Sequence, residues 1–327
     1  MLPDGRRIGP HVALGRGLAH AVDRAAAIGA STIQLFADNP TAWRRRDTLP
    51  ADLPRFRDRV DAHGLEPVAI HAAYLVNLAG PADDLWERSV QVLVAELRMA
   101  EAYGARYVNV HIGSHRGAGL EAGVARLATG VRRVLDTFDS GRAAGERDDG
   151  PPLLVLENGS GGGHGIGATM DELGLIDAAL DAGGIPRERI GFCLDTAHLW
   201  GAGYPVDRVD GVEATLGGFD AAVGLARLRM VHLNDSRSEP GSRTDRHEHI
   251  GAGRIGGEGL ARMLTHPSLA HVAYYLETPG MDEGYDAINL ARALDLAAGR
   301  PLATLPPEAF ALTSSRSRSA APAEAAG

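Results

Sequence analysis

The hydrophobic pattern along the chain consists of short apolar runs that alternate with longer amphipathic stretches. The apolar runs are rich in leucine and β-branched residues, as is typical of buried strands. We count eight of them, at 8–14, 32–37, 67–76, 107–113, 153–159, 190–198, 230–236 and 273–279. The stretches between them include 85–105, where Leu93, Leu97 and Ala100 fall at helical spacing, and 217–228.

This alternation predicts the fold class. Strands that alternate with helices form a parallel sheet, and eight such units favour a single α/β (β/α)8 TIM barrel over an open doubly wound sheet. No G-x-G-x-x-G follows the first run, so we expect no nucleotide cofactor. We place the barrel domain at residues 1–300 and a low-complexity tail, predicted to be disordered, at 301–327. The polar segment 140–152 is predicted to be a peripheral connection.

Composition narrows the class of protein. A hydrophobic content of 44% with 23% charged residues indicates a globular chain. The formal net charge of −9 gives no global attraction to a polyanion, although a local basic rim or bound cations reverse the sign near a cleft. The single cysteine, Cys193, excludes an intrachain disulfide. With no apolar leader and no run of transmembrane length, we predict a cytoplasmic protein that does not enter a membrane.

Metal-binding side chains gather where the strands of such a barrel carry their chemistry, at the C-terminal ends. Six of the eight apolar runs end near one, and these are His71, His111, Glu157, Asp195 with His198, His232, and Glu277. Further on, Asp245 and His247 are two apart and share one side of an extended chain.

Each of these residues alone is more commonly a helix cap, a solvated charge or a hydrogen-bonded core residue. As a set, these residues are better explained as metal ligands, because converging carboxylates are costly to bury unless cations neutralise them. Imidazole mixed with carboxylate suits Zn²⁺ or Mn²⁺, and more than one ion is plausible for so many ligands. Cys193 shares a strand face with Asp195, but core packing is the commoner role of a solitary cysteine.

Five segments resemble the signature blocks of the endonuclease IV family, the metal-dependent apurinic/apyrimidinic endonucleases. They are "YVNVHIGSH" (107–115), "LLVLENGSG" (153–161), "IGFCLDTAHLWGAGY" (190–204), "VHLNDSRSEPGSRTDRHEHIGAGRIG" (231–256) and "YLETP" (275–279). The resemblance extends from about residue 8 to about 298. It implies a TIM barrel with a trinuclear zinc cluster and a DNA-repair activity of the deoxyribonuclease IV type. That activity hydrolyses the phosphodiester 5′ to an abasic site in duplex DNA, by a metal-activated hydroxide, and leaves a 3′-hydroxyl and a 5′-deoxyribose phosphate.

The resemblance also implies roles for particular residues. Glu157 would bridge two metals and is the predicted catalytic residue. One bridged metal would be held also by His71 and His111, and the other by Asp195, His232 and Glu277. The third would be held by His198, Asp245 and His247. We expect Zn²⁺ at three ions per chain, with Mn²⁺ open as an alternative at some sites, and a monomer; removal of 3′-blocking groups stays open as a second activity.

DNA contacts are predicted at Tyr74, Arg44, Arg237 and Arg243. Thr41 departs from the family, because well-known members place there an arginine that enters the base stack. The arginines at 44–46 lie just downstream and either substitute for it or form a solvated face.

Three further histidines, His11, His115 and His249, are open between hydrogen bonding to a ligand and a structural or solvated role. The main alternative function is a metal-dependent sugar isomerase or epimerase on a related barrel. A third possible function is that of a metal-storing scaffold. Isomerases of that kind generally need fewer metals, whereas the two Asp/His pairs here supply a third site.

Overall fold

Parallel strands in one sheet form the centre of the structure, a computed structural model that describes residues 2, 4–142 and 150–312. A two-stranded antiparallel hairpin, β8 and β9, lies outside this sheet. In chain order the strands are β1 (Ile8–Pro10), β2 (Gln34–Leu35), β3 (Ala69–His71), β4 (Tyr107–His111), β5 (Leu153–Glu157), β6 (Ile190–Asp195), β7 (Leu228–His232), β8 (Asp235–Ser236), β9 (His247–Glu248) and β10 (Ala273–Leu276).

Helices connect the successive parallel strands and cover the outside of the sheet. They are α1 (Leu18–Ala27), α2 (Leu53–His63), α3 (Asp83–Tyr103), α4 (Leu120–Ser140), α5 (Met170–Ala182), α6 (Thr196–Ala202), α7 (Val209–Ala222), α8 (Gly256–Thr265) and α9 (Asp286–Ala297). The pairing order is β1-β10-β7-β6-β5-β4-β3-β2. A parallel bridge between His11 and Gln34 joins the two ends of this order. The predicted (β/α)8 TIM barrel is confirmed.

The boundaries of several elements differ from those predicted. Within the apolar run 190–198, the strand ends at Asp195 and α6 begins at the next residue. Oδ1 of Asp195 accepts the backbone N–H groups of Ala197 (2.6 Å) and His198 (3.0 Å) and so caps this helix. His198 therefore lies on a helix and not in a strand. The helix predicted at 217–228 is α7, which begins earlier and ends at Ala222, before Gly224 with a positive φ of 94°.

The barrel interior is apolar at one end and polar at the other. The apolar layer is formed by Ala69, Leu153, Val155, Cys193, Met230, Ala273 and Tyr275. Cys193 is thus a core residue of this layer. The polar layer lies at the C-terminal ends of the strands, so the fold concentrates titratable side chains at one end of the barrel.

The chain beyond the predicted domain boundary packs against the barrel as far as the structure describes it. Residues 301–312, which belong to the predicted tail, include a 3-10 turn at Pro307–Phe310, and Leu305 and Ala309 are buried. The domain boundary at 300 stays a prediction. Residues 313–327 lie outside the described residues, as do 143–149 of the predicted connection. Among the described helices, none is long and apolar enough to cross a bilayer.

Candidate metal centre

Glu157 lies at the middle of the polar layer, as the last residue of β5. Its side chain is fully buried, and its two oxygens face different groups of histidines. Oε2 lies 3.6 Å from Nε2 of His71 and 3.6 Å from Nε2 of His111. Oε1 lies 3.2 Å from Nδ1 of His232 and 3.3 Å from Nδ1 of His198. One carboxylate therefore links two sides of the site.

The strand ends explain the first group, which consists of His71, His111 and Glu157. These three residues close β3, β4 and β5, which are adjacent in the sheet. Side chains at the last position of neighbouring parallel strands meet over the same end of the barrel. One ligand atom from each lies within 4.8 Å of the others. The side chain of His111 is 40% exposed, so this group borders the open side of the site.

The second group joins Glu157 to Asp195 and His232, again within 4.8 Å. Asp195 and His232 close β6 and β7 and are paired in register. Glu277, which directly follows β10, approaches the same place, with Oε2 at 3.6 Å from Nδ1 of His232. The two oxygens of Asp195 have separate partners, because Oδ1 caps α6 while Oδ2 faces the site.

The third group is more exposed to solvent than the second. His198 Nε2 is 3.2 Å from Oδ2 of Asp245, and His247 Nε2 is 2.9 Å from Oδ1 of the same carboxylate. His247 also lies 3.5 Å from Oδ2 of Asp195, and Asp195, His198 and His247 meet the 4.8 Å criterion. Asp245 is 45% exposed and contacts both histidines from the solvent side.

A hairpin returns Asp245 and His247 to the strand ends. Ser236 of β8 pairs with His247 of β9, and Arg237 accompanies this turn by donating from Nε to the carbonyl of His247 at 3.2 Å. Asp235 is buried and turned away from the metal-binding groups. Its carboxylate accepts backbone N–H groups of the 253–256 loop, including Gly253 at 2.9 Å and Ile255 at 3.0 Å. Asp235, the last residue of the "HLND" motif, thus has a structural role, since its carboxylate holds the 253–256 loop.

Buried carboxylates and imidazoles of the site stabilise each other's charged forms, and this shifts their pKa values. Burial by itself would raise the pKa of Glu157, but His232 and His111 outweigh it and lower this pKa well below its usual range. Burial disfavours protonated His198, yet Asp195 and Asp245 raise the pKa of its imidazole well above the usual value. At His247, Asp245 and Asp195 likewise outweigh burial and raise the pKa of the imidazole well above its usual value.

The donor set fits divalent cations of the zinc type. Three groups of imidazole nitrogens and carboxylate oxygens converge, and each group is compact enough to surround one ion. No thiolate takes part among the described residues, because the only cysteine lies in the apolar layer. In the absence of an ion, the carboxylates are balanced by protons on the histidines, and a cation can take over that role.

Four buried amides, which the strand-end pattern does not predict, hold the candidate ligand side chains. Gln34 donates to Oε1 of Glu277 at 2.7 Å and lies 3.0 Å from Nε2 of His232. Asn109 donates to Oε2 of Glu157 at 2.5 Å. The two others are Asn158 and Asn234.

The amides that were missed did leave a signal in the sequence. A polar residue inside a buried apolar strand, such as Asn109 in "YVNVH", needs a partner when it is desolvated. Asn158 and Asn234 lie one and two residues beyond the ends of β5 and β7. Asn158 accepts the N–H of Asp195 through its side chain and lies 2.9 Å from Nδ1 of His198 through its carbonyl.

The aromatic and arginine side chains predicted to meet DNA are exposed. Tyr74 is 44% exposed, and its ring centroid is 5.5 Å from that of His71. Arg44, Arg237 and Arg243 are exposed. Thr41 is exposed and bonds within its own turn, donating from Oγ1 to Oδ1 of Asn39 at 2.9 Å.

The three histidines with open roles differ from one another. Nδ1 of His11 is 3.4 Å from Oε1 of Glu277, so His11 belongs to the layer behind the ligands. His115 accepts the N–H groups of Gly117 and Gly119 through Nδ1 and so holds the loop before α4. His249 is fully buried away from the site, with Nε2 at 2.9 Å from the carbonyl of Ala309.

Comparison with known proteins agrees with this geometry. A sequence model of the family described as a xylose isomerase-like TIM barrel matches residues 22–299. A protein named "probable endonuclease 4" from Methanoculleus marisnigri is 40% identical over 290 residues, which cover 89% of this chain and 98% of that protein. The crystal structure of endonuclease IV from Thermus thermophilus is 38% identical with a TM-score of 0.74, covering 90% of this chain and 99% of that one.

A second solved structure bears on the alternative function. A D-tagatose 3-epimerase-like protein has a TM-score of 0.61, covering 90% of this chain and 98% of that one, at 14% identity. Likeness at that level of identity establishes a shared barrel and nothing more about chemistry.

Proposed function

Because the chain belongs to the endonuclease IV family of xylose isomerase-like TIM barrels, we propose that it hydrolyses the phosphodiester 5′ to abasic sites in duplex DNA. The products are a 3′-hydroxyl and a 5′-deoxyribose phosphate. The observation that carries this proposal is the position of Glu157 between two groups of histidines and acids, with a third group beside it. Such a centre suits phosphate ester hydrolysis, and the same centre would serve for removal of 3′-blocking groups.

We assign the cation ligands by these groups. His71, His111 and Glu157 would hold a first ion, and Glu157 would also serve a second with Asp195, His232 and Glu277. His198, Asp245 and His247 would hold a third, and Asp195 lies close enough to His198 and His247 to contribute there as well. When bound, Zn²⁺ or Mn²⁺ would supply positive charge toward the phosphate and make water available as hydroxide near neutral pH.

The residues of the chain itself orient and recruit the substrate. Arg44, Arg237 and Arg243 are exposed, so they can donate to phosphate oxygens and fix the register of the duplex. Tyr74 presents its ring beside the first group, where an abasic gap in the base stack leaves room for an aromatic face. Gln34 and Asn234 hold Glu277 in place from either side. We propose a monomer as the active unit.

The test is incision of a duplex that contains a single stable abasic analogue, labelled at the 5′ end of the damaged strand. Metal-replete protein should cut on the 5′ side of the analogue, leave an undamaged duplex intact, and lose activity when a chelator is added. Failure to make a chelator-sensitive cut 5′ to the analogue would overturn the proposal. The sugar isomerase or epimerase alternative would then be tested with ketose substrates.

One pair of variants assigns the role of the shared carboxylate. Glu157→Gln keeps the side-chain shape but removes the charge, and it should lower kcat on the order of a thousandfold, as expected for loss of a group that organises transition-state charge. Glu188→Gln, at an exposed position before β6 on the opposite end of the barrel, is the control and should match the wild type. Retained cleavage by a folded Glu157→Gln protein would show that the shared role is misassigned.

A further inference from the structure

The three consecutive arginines at 44–46 do not form one solvated face. The side chain of Arg44 is 88% exposed and that of Arg46 is 39% exposed, but that of Arg45 is 11% exposed. A guanidinium remains charged at any ordinary pH, and its burial is costly unless its donors are paired. The buried guanidinium of Arg45 therefore needs acceptors for its N–H groups.

Arg45 has partners on two elements. Its Nη1 lies 3.0 Å from Oε1 of Glu96, a residue of α3 that is 2% exposed. Its Nη2 donates to the carbonyl of Asn39 at 2.9 Å and also to the carbonyl of Ala42. One guanidinium thus fills the inside of the turn at residues 38–46, which we call the arginine loop, and ties that turn to α3.

The arginine loop is also joined to the rim of the metal centre. Asp38 accepts the N–H of Arg46 at 2.6 Å and that of Asn39 at 2.8 Å, which closes the base of the loop. The carbonyl of Pro40 accepts the N–H of Tyr74 at 3.0 Å. The position of the loop and the position of the Tyr74 backbone are therefore linked by a direct hydrogen bond.

We propose that Arg45, held by Glu96, is a positioning residue that fixes the arginine loop for DNA binding, with Arg44 and Arg46 reaching the phosphates. This inference rests on the proposed function and adds to it a pair of residues that never meets the substrate. Phosphate contacts set the register of a duplex on a protein. A loop that is already ordered loses less entropy on binding than one that must become ordered.

The chain offers a matched control for the loss of a buried arginine. Arg227 lies 2.9 Å from Asp177 through Nη2 and Oδ1, and the two side chains are 9% and 7% exposed. Arg227 directly precedes β7, so this pair lies toward the N-terminal ends of the strands, opposite the metal centre. Arg45→Met and Arg227→Met each remove a buried guanidinium of the same kind at opposite ends of the barrel.

The experiment is steady-state incision of the abasic duplex by metal-replete, full-length proteins, together with melting curves and metal content. Arg45→Met should raise KM about tenfold with kcat within about twofold, because only binding from the rim is weakened. Arg227→Met should lower the melting temperature and leave KM unchanged. A KM for Arg45→Met that is no higher than that of Arg227→Met would overturn the inference.

Variants of Glu96 separate the hydrogen bond from the charge. Glu96→Gln retains an acceptor oxygen for Arg45 and should keep KM near the wild-type value, whereas Glu96→Leu removes the acceptor and should reproduce the KM of Arg45→Met. Equal KM values for the two Glu96 variants would overturn the role of the contact. Should Arg45→Met not fold, Arg45→Lys provides the test. The three donors of an ammonium lie on one nitrogen and do not reproduce the guanidinium fork that reaches Glu96, Asn39 and Ala42, so KM should still rise.

The wild-type protein distinguishes the failure of this inference from the failure of the proposed function. No incision by the wild type overturns the proposed function, and this inference falls with it. Incision by the wild type, with the KM of Arg45→Met unchanged, overturns this inference alone. Hydrogen exchange of residues 38–46 in the folded variants gives an independent readout, and faster exchange is expected in Arg45→Met but not in Arg227→Met.

Discussion

The side-chain amide of Asn234 donates a hydrogen bond of 2.7 Å to Oδ2 of Asp195, the oxygen that also faces His247. At its other end, the same amide accepts the backbone N–H of Glu277 at 2.8 Å. One buried asparagine therefore orients proposed ligands at the ends of two different strands, β6 and β10. Residues in this position behind metal ligands typically contribute about 10–100-fold to metal affinity.

Asn234→Ala should accordingly weaken Zn²⁺ binding by about 10–100-fold. Incision of the abasic duplex should fall at limiting Zn²⁺ and recover at saturating Zn²⁺. Competition with a chromophoric chelator measures the affinity. Asn289→Ala is the control, because Asn289 is equally buried but its amide accepts the N–H of Ile250 away from the ligands. Wild-type affinity in Asn234→Ala would contradict the assigned role.

Metal binding should release protons near neutral pH. In the protein without metal, Asp195 and Asp245 outweigh burial and raise the pKa of His198 well above its usual value, and they do the same for His247. Both imidazoles must lose a proton to bind a cation, so apparent affinity should rise with pH. Calorimetry near pH 7 in buffers of different ionisation enthalpy measures the release, and a binding enthalpy independent of the buffer would count against it.

The strand ends were predictable from the sequence because a barrel converts position along the chain into position in space. His71, His111, Glu157, Asp195 and His232 each occupy the last residue of a strand and lie inside the corresponding apolar run. The parallel arrangement brings all strand ends to one face of the barrel. This part of the arrangement needs only the fold class and the hydrophobic pattern.

The interactions that hold these side chains could not be predicted in the same way. Gln34 reaches Glu277 from the far end of the chain, and Asn234 reaches Asp195 at the end of the neighbouring strand. Such contacts depend on rotamers and on register, which the pattern of apolar residues does not contain. Arg45 illustrates the same limit, since its neighbours Arg44 and Arg46 have the same chemistry and differ only in direction.

Stability should depend on pH through Glu96. Burial outweighs the neighbouring Arg45 and raises the pKa of Glu96 from 4.5 to about 7. The folded state therefore retains a proton that the unfolded state releases, so Glu96 contributes stability that is complete below about pH 4.5 and is lost as the pH rises through about 7.

Glu96→Gln should remove this dependence, because the amide does not titrate. The free energy of unfolding of Glu96→Gln should increase relative to that of the wild type as the pH rises, by at most about 3 kcal/mol. Denaturant unfolding at a series of pH values measures the difference. Glu188→Gln, at an exposed position, should show a constant offset. Parallel curves for Glu96→Gln and the wild type would contradict the prediction.

The segment after α9 should contribute to stability as far as Leu312. The carbonyl of Ala309 is 2.9 Å from Nε2 of buried His249, and Leu305 is buried in the same segment. A chain that stops after Leu312 keeps this whole segment and is the reference. A chain that stops after Arg300 should lose about 2–4 kcal/mol of unfolding free energy from exposed apolar area and an unpaired buried imidazole. Equal unfolding free energies for the two truncations would show that this segment adds nothing.

Metal titration of the metal-free protein shows whether the grouped strand-end residues hold the ions that incision of DNA requires. Zn²⁺ bound per chain and incision of the abasic duplex are measured in the same samples. We predict that incision 5′ to the lesion rises with bound metal and reaches its maximum at three ions per chain. Full incision by metal-free protein, or a maximum at one ion per chain, would contradict the account.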